Sequence, residues 1–245
     1  MLNIEDFCIV RGQGVQAHRV YLPQLELRPG QVMAVTGESG CGKSTLLEAI
    51  GLLLHPRSIG RFELRDNDQQ IDVAALLNAD RQTDLAGIRA RQLGFVLQNG
   101  GLLPYLTVRD NIRLPCQLLG VTPDKEMLLR IINVLKLEPL LAKYPAQLSF
   151  GERQRTAFAR AIVHRPKLVL ADEPTAALDP CNAQQLFSLF VDLVHQENMM
   201  AMVVCHDRSL VQRFNLPCLH ASHEPMSMNT AEANEQTQKG TYFVL

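Results

Sequence analysis

The sequence predicts an α/β fold: a mostly parallel sheet with helices packed on it, antiparallel strands near the N-terminus, and an inserted helical subdomain. Three observations predict it. Short apolar runs at 31–36 (QVMAVT), 167–171 and 200–205 read as buried strands. Each run is followed by a loop and then by a segment of helical pattern, and that alternation argues for a parallel sheet. From 107 to about 164 the pattern is helical, until Pro139 and Pro145 break the chain before LSFGERQ at 148–154.

Taken in order, residues 3–10 and 25–27 read as strands, with Arg28, Pro29 and Gly30 as a turn. The helix after QVMAVT is expected over 43–54. RDNDQQ (65–70) reads as a surface loop, 85–91 as a short helix, and 94–97 as a short strand ending at Gln98. Thr122, Pro123 and Asp124 suggest an N-cap, a first helical position and a first-turn acid. Asp179 and Pro180 cap a helix that turns Leu186, Phe187, Phe190, Val191 and Val194 to one face. Residues 222–239 are polar, and TYFVL (241–245) is expected to pair as an edge strand.

Composition excludes several classes. Apolar residues make up 47% and charged residues 20%, as in an ordinary soluble globular protein. A formal net charge of −1 gives no electrostatic reason to expect nucleic acid or an anionic membrane surface. No apolar run reaches the roughly 18–20 residues that span a bilayer. MLNIEDFCIV lacks the basic start and cleavage site of a signal peptide. The six cysteines show no metal spacing and read as reduced thiols of a cytoplasmic protein.

GESGCGKST sets Gly37, Glu38, Ser39, Gly40, Cys41, Gly42, Lys43, Ser44 and Thr45 between a strand and a helix. That is the G-x-x-x-x-G-K-S phosphate loop in its proper context. Glycines let backbone N–H groups close around phosphate oxygens, and the helix N-terminus adds partial positive charge. Lys43 is expected at the β- and γ-phosphates and Ser44 at Mg²⁺. Cys41 reads as a small packing residue. LVLADEP (168–174) ends a buried strand on two carboxylates. Asp172 is expected to bind Mg²⁺, and Glu173 to orient or deprotonate the attacking water. Alone, two acids at a strand end could be solvated charge or a helix cap; beside a phosphate loop they read as catalytic. Ser149 and Glu152 fit a capping box, whose free N–H groups also suit a phosphate.

Over about residues 3 to 220, these stretches resemble the ATPase subunit of an ATP-binding cassette (ABC) transporter, a P-loop NTPase core. LSFGERQ resembles the LSGGQ signature, with Phe150 and Glu152 in place of Gly and Gln. The resemblance implies that Ser149 and Gly151 close over ATP held by an opposite subunit. It implies that Ala177, Leu178 and Asp179 form the D-loop at a dimer interface. His206 then matches the switch histidine at the γ-phosphate, and Gln98 the Q-loop glutamine that senses Mg²⁺ and the water. ATP and Mg²⁺ are the implied ligands, and an ATP-dependent homodimer the implied assembly. Integral-membrane permease subunits on separate chains would hold the protein at the inner face of the membrane, and no nucleic acid is expected.

The implied organisation is one ABC ATPase domain over 1–245, with a helical subdomain at about 99–165 and a polar tail at about 221–240. GFVLQNGGLLPYLTVRDNI (94–112) and RPKLVLADEPTAALD (165–179) look most like the lipoprotein-releasing and macrolide-export group. Two other outputs of the same residues stay open. One is a regulatory or mechanotransmitting ATPase that signals through a membrane partner without solute transport. The other is an ABC protein acting on nucleic acid or ribosomes, which usually carries two cassettes or a coiled-coil insertion. The family usually stacks adenine on an aromatic ring well before Lys43. RGQGVQAH (11–18) has none, so Arg11 or His18 is expected to stack instead, or the base is held loosely.

Overall fold

The computed structural model describes residues 1–12, 17–66, 69–222 and 240–245. The chain forms two compact units: Met1–Leu27 with Val35–Leu85 and Pro217–Leu245, and Arg28–Ala34 with Ala86–Leu216.

In the first unit, β1 (Leu2–Arg11) and β2 (His18–Leu27) pair antiparallel, setting Leu2 opposite Leu27 and Ile9 opposite Val20. The ladder breaks at Asp6 (φ +51), across from Pro23, which has no N–H to donate. Burial slips phase there, from Leu2 and Ile4 to Phe7 and Ile9. β3 (Val32–Thr36) is buried at every position, as a non-alternating run requires, and carries the chain from the second unit into the first. The helix after the phosphate loop, α1 (Lys43–Ile50), is shorter than the apolar pattern suggests. Gly51 caps it and Leu52 turns left-handed at φ +61.

RDNDQQ is mostly not a loop. β4 (Arg61–Asp66) pairs antiparallel with β1 and with β5 (Gln69–Asp72), which sets Arg65 opposite Gln70 and Leu64 opposite Ile71. Residues 67 and 68 of that stretch lie outside the described residues. Polar side chains hid the pairing; Arg65 Nη2 in fact donates to Gln70 Oε1 at 2.8 Å. Asp72 caps the short α2 (Val73–Asn78).

α3 (Gln82–Gln92) leads into β6 (Leu93–Val96) of the second unit. Three helices follow: α4 (Val108–Leu118), α5 (Lys125–Val134) and α6 (Phe150–Ile162). The N-cap of α5 is Asp124 rather than Thr122, because its carboxylate accepts the Met127 N–H. Single 3-10 turns occupy the two proline breaks. Next come β7 (Leu168–Asp172), α7 (Pro180–Gln196), β8 (Met200–Val204) and α8 (Arg208–Arg213). β6, β7 and β8 run parallel, the arrangement that strand–helix alternation predicts. The apolar face foreseen on α7 is buried, and Phe187 and Phe190 pack with Phe158 of α6 and Phe214, at centroid distances of 4.8 to 6.2 Å.

The chain then returns to the first unit as β9 (Cys218–Ser222) and β10 (Gly240–Val244). TYFVL is not an edge strand. β10 lies between β2, to which it runs parallel, and β9, to which it runs antiparallel. The polar stretch before it lies, from 223 to 239, outside the described residues.

β6 packs directly on α6. A Cβ on Gly94 would sit 2.2 Å from the Ala161 carbonyl oxygen, a backbone atom that cannot rotate away. Gly94→Ala is therefore expected to lower the unfolding free energy by about 2 kcal/mol or more, measured by urea denaturation.

Candidate functional site

In the first unit the phosphate loop is shaped by three left-handed glycines. Gly37, Gly40 and Gly42 have φ of +153, +79 and +100. Two of them are also closed in by neighbours. A Cβ on Gly42 would sit 2.5 Å from Val20 Cγ2, and one on Gly37 2.5 Å from Ala221 Cβ. Gly42 is the N-cap of α1 and brings no side chain to the first helical N–H groups, which leaves them for a ligand. Lys43 is 5% exposed and curls beneath the loop, donating to the main-chain oxygens of Gly37 (3.0 Å) and Glu38 (2.7 Å). Ser44 is half-buried, Cys41 and Thr45 are buried, and Glu38, Ser39 and Gly40 are exposed.

The two residues expected to meet adenine both brace this loop. Arg11 donates to Thr45 Oγ1 (3.1 Å) and pairs with Glu48 (3.2 Å). His18 Nε2 lies 3.3 Å from the Cys41 carbonyl oxygen and 3.2 Å from Thr241 Oγ1. Residues 13–16 between them lie outside the described residues.

In the second unit three of the expected residues converge. Glu173 follows β7 with φ +48, a left-handed conformation unusual for a glutamate and costing about 1 kcal/mol or more. Its carboxylate accepts from Gln98 Nε2 on Oε2 (3.0 Å) and from His206 Nε2 on Oε1 (2.5 Å). Gln98 enters from the end of β6 and His206 from the end of β8, so the parallel strand ends deliver all three. A cavity of about 380 Å³ opens beside Glu173 and His206, walled by Thr175, Leu178, Cys205 and Leu210. Asp172 is the half-buried last residue of β7.

The signature stretch forms the reciprocal capping box that its spacing predicts. Ser149 Oγ accepts the Glu152 N–H at 3.3 Å, and Glu152 Oε2 accepts the Ser149 N–H at 2.6 Å. That backbone N–H holds the Glu152 carboxyl below the usual carboxylate range. Phe150 has a structural role of its own, with the Arg153 guanidinium 5.7 Å over its ring. A Cβ on Gly151 would meet Leu178 Cδ2 at 3.3 Å, so the signature helix and the AALD segment are neighbours. Asp179 itself is engaged as the N-cap of α7, accepting from Asn182 N (3.1 Å) and Nδ2 (2.6 Å).

Two residues without an assigned role in the sequence join this group: Gln154 donates to the Gln98 carbonyl, and Arg160 to those of Gly100 and Gly101. A signal for Gln154 exists. It shares the apolar stripe of α6 with Ala157, Phe158 and Ala161, where a polar residue is out of place.

A model of the ABC transporter family matches residues 23–176. The chain belongs to the ABC transporter family. Among its relatives, the lipoprotein-releasing system ATP-binding protein LolD of Legionella pneumophila (strain Paris) is 40% identical over 193 residues, covering 78% of this chain and 81% of that protein. The macrolide export ATP-binding/permease protein MacB of Brucella melitensis biotype 1 is 36% identical over 217 residues, covering 87% of this chain but 32% of MacB. Among solved structures, the dimeric post-hydrolysis ATP-binding cassette MJ0796 with ADP and Pi superposes with a TM-score of 0.71 at 29% identity, covering 90% of this chain and 94% of that one. The chain is thus the ATP-binding, ATP-hydrolysing subunit of an ABC transporter, similar to the lipoprotein-releasing and macrolide-export group. These relatives favour transport over the regulatory reading.

Glu152 is stabilised as a carboxylate by folding, so its contribution is full above the ordinary carboxyl pKa and is lost as pH falls through the lowered folded-state pKa. Replacing it with alanine is expected to cost on the order of 1 kcal/mol at neutral pH. Thermal unfolding should show the gap between the wild-type and Glu152→Ala chains closing as the solution is acidified below the carboxyl range.

Proposed function

We propose that ATP is held through its phosphates by residues 37–45 and that Glu173 takes the proton of the attacking water. The observation that carries this reading is the Glu173 carboxylate, bonded on one oxygen by Gln98 and on the other by His206. Each oxygen keeps a lone pair for a further donor. As the water oxygen bonds to the γ-phosphorus, its proton passes to Glu173 and the bond to the ADP oxygen breaks. His206 and Gln98 fix the direction from which the base acts, and His206 reaches the γ-phosphate. Lys43 exchanges its two loop carbonyls for β- and γ-phosphate oxygens.

Ser44, Asp172 and Gln98 offer a hydroxyl, a carboxylate and an amide oxygen. That all-oxygen set fits a hard cation which takes its remaining ligands from phosphate and water. Gln98 turns its amide nitrogen to Glu173, which leaves its side-chain oxygen for this role. Mg²⁺ held there would neutralise charge on the β- and γ-phosphates.

The likeness to a dimeric cassette supports a further part of the reading. Ser149 and Gly151 meet the γ-phosphate of ATP on a second copy, with Asp179 at the same interface. The two compact units then act as one ATPase domain, with residues 99–165 as its helical part. Among the described residues no helix is long and apolar enough to cross a membrane. In this reading the work is passed to permease subunits on separate chains, which hold the ATPase at the inner membrane face; the likeness to LolD, the ATP-binding protein of a lipoprotein-releasing system, supports it.

Glu173→Gln should bind ATP with near-normal affinity yet release phosphate about 100-fold more slowly or worse, because it lacks the proton acceptor. A phosphate-release assay beside a nucleotide-binding titration checks this. Near-normal release would remove Glu173 from the role of base.

A further inference from the structure

Two side chains of α6 grip the turn that carries Gln98. Gln154 Nε2 donates to the Gln98 carbonyl oxygen at 2.5 Å. Arg160 Nη1 and Nη2 donate to the carbonyl oxygens of Gly101 (2.8 Å) and Gly100 (3.0 Å). The turn itself is tight. The Gly100 N–H donates to the Leu97 carbonyl at 2.9 Å, and Gly100 and Gly101 are left-handed at φ +77 and +55. A Cβ on Gly100 would lie 3.6 Å from the Arg153 carbonyl oxygen and 3.7 Å from Ala157 Cβ, so the turn rests against α6. The Gln98 side chain meanwhile donates to Glu173.

Neither grip is explained by packing. Gln154 is 1% exposed, and its Oε1 has no hydrogen-bond partner among the described residues. Its surroundings include Val96, Phe158, Phe187 and Phe190. A buried, half-satisfied amide costs about 1–3 kcal/mol, and a methionine of similar length would avoid that cost. Arg160 likewise gives a half-buried guanidinium to two main-chain carbonyls, and burial pulls its pKa below the usual value. Both polar groups converge on residues 98–101, at the position that orients the base.

We propose that Gln154 and Arg160 are positioning residues that lock the turn at 98–101 to α6, so that movement of the helix beginning at Ser149 shifts Gln98 against Glu173 and sets the rate of hydrolysis. The proposal rests on the roles given above to Gln98 and Glu173. It makes α6 a lever. The helix end that meets a second copy's nucleotide and the glutamine that aims the local base are joined by three hydrogen bonds.

The test is a mutant cycle in the full 245-residue chain, reading kcat and KM for ATP together with the thermal unfolding midpoint. Gln154→Met should lower kcat about 10-fold or more, since small misplacements at a reacting centre carry large rate penalties. KM should stay within about twofold and the midpoint should hold or rise, because the unsatisfied amide is gone. In a Gln98→Ala background, Gln154→Met should cost less than about twofold, since its effect runs through the missing side chain. Arg160→Lys, which keeps the charge without the two-pronged fork, should follow the same pattern and serves as a second variant. An undiminished loss in the Gln98→Ala background, or an unchanged kcat in Gln154→Met, would overturn the proposal. A Gln98→Ala chain with normal kcat would overturn the role of Gln98 itself, and the lever with it.

Discussion

A carboxylate that accepts one hydrogen bond on each oxygen has a fixed plane and a fixed direction for its remaining lone pairs. Glu173 is in that condition, with Gln98 on Oε2, His206 on Oε1 and its own backbone in a left-handed conformation. Each donor arrives from a different parallel strand, so the carboxylate registers the relative placement of the ends of β6, β7 and β8. Much of the second unit serves that placement. Gly94 lets β6 lie against α6, Gln154 and Arg160 hold the turn after Gln98, and the phenylalanines of α6, α7 and the chain after α8 fill the space beneath. Asn111 extends the same logic. It is fully buried, and its side chain bonds the main chain of Leu103, Leu106 and Thr107, fixing the path that leads from the turn into α4.

The first unit solves a different problem, which is to leave backbone donors open without letting the loop collapse. Its glycines are held to that task by neighbours as much as by φ, since Val20 and Ala221 occupy the space that side chains at Gly42 and Gly37 would need. His18 and Arg11 brace the same loop from β2 and β1. Thr36, the residue just before the loop, lies 2.8 Å from His220 Nδ1, so β9 also supports the entry to it. A phosphate loop is thus a local motif whose shape depends on strands from both ends of the chain.

What was legible in the sequence follows from how local each feature is. The glycines and lysine of the loop, the two acids at the end of β7 and the capping box at Ser149 are set by residues within a few positions of one another, and each forms as its spacing requires. The parallel strands were legible because a strand buried on both faces has no room for polar residues. β4 and β5 were missed because their sequence is mostly polar while the pairing is made by the backbone, and TYFVL was misplaced because nothing within a five-residue run shows how many neighbours it will have. Gln98 and His206 drew their meaning from a family likeness, since a glutamine or histidine at a strand end is silent until the strands are ordered. Gln154 and Arg160 went unassigned for a related reason: they bond to main-chain carbonyls some sixty positions away, and a carbonyl leaves no trace in a sequence.

If Gln98 and His206 act by orienting one carboxylate, their contributions are not independent. The most direct test is the single-turnover rate of ATP hydrolysis in Gln98→Ala, His206→Ala and the double variant. The account predicts that the double variant loses markedly less than the product of the two single losses, because once either donor is gone the carboxylate is already misdirected. A fully multiplicative loss would show that the two residues do not act through the shared Glu173 carboxylate, and would contradict the account.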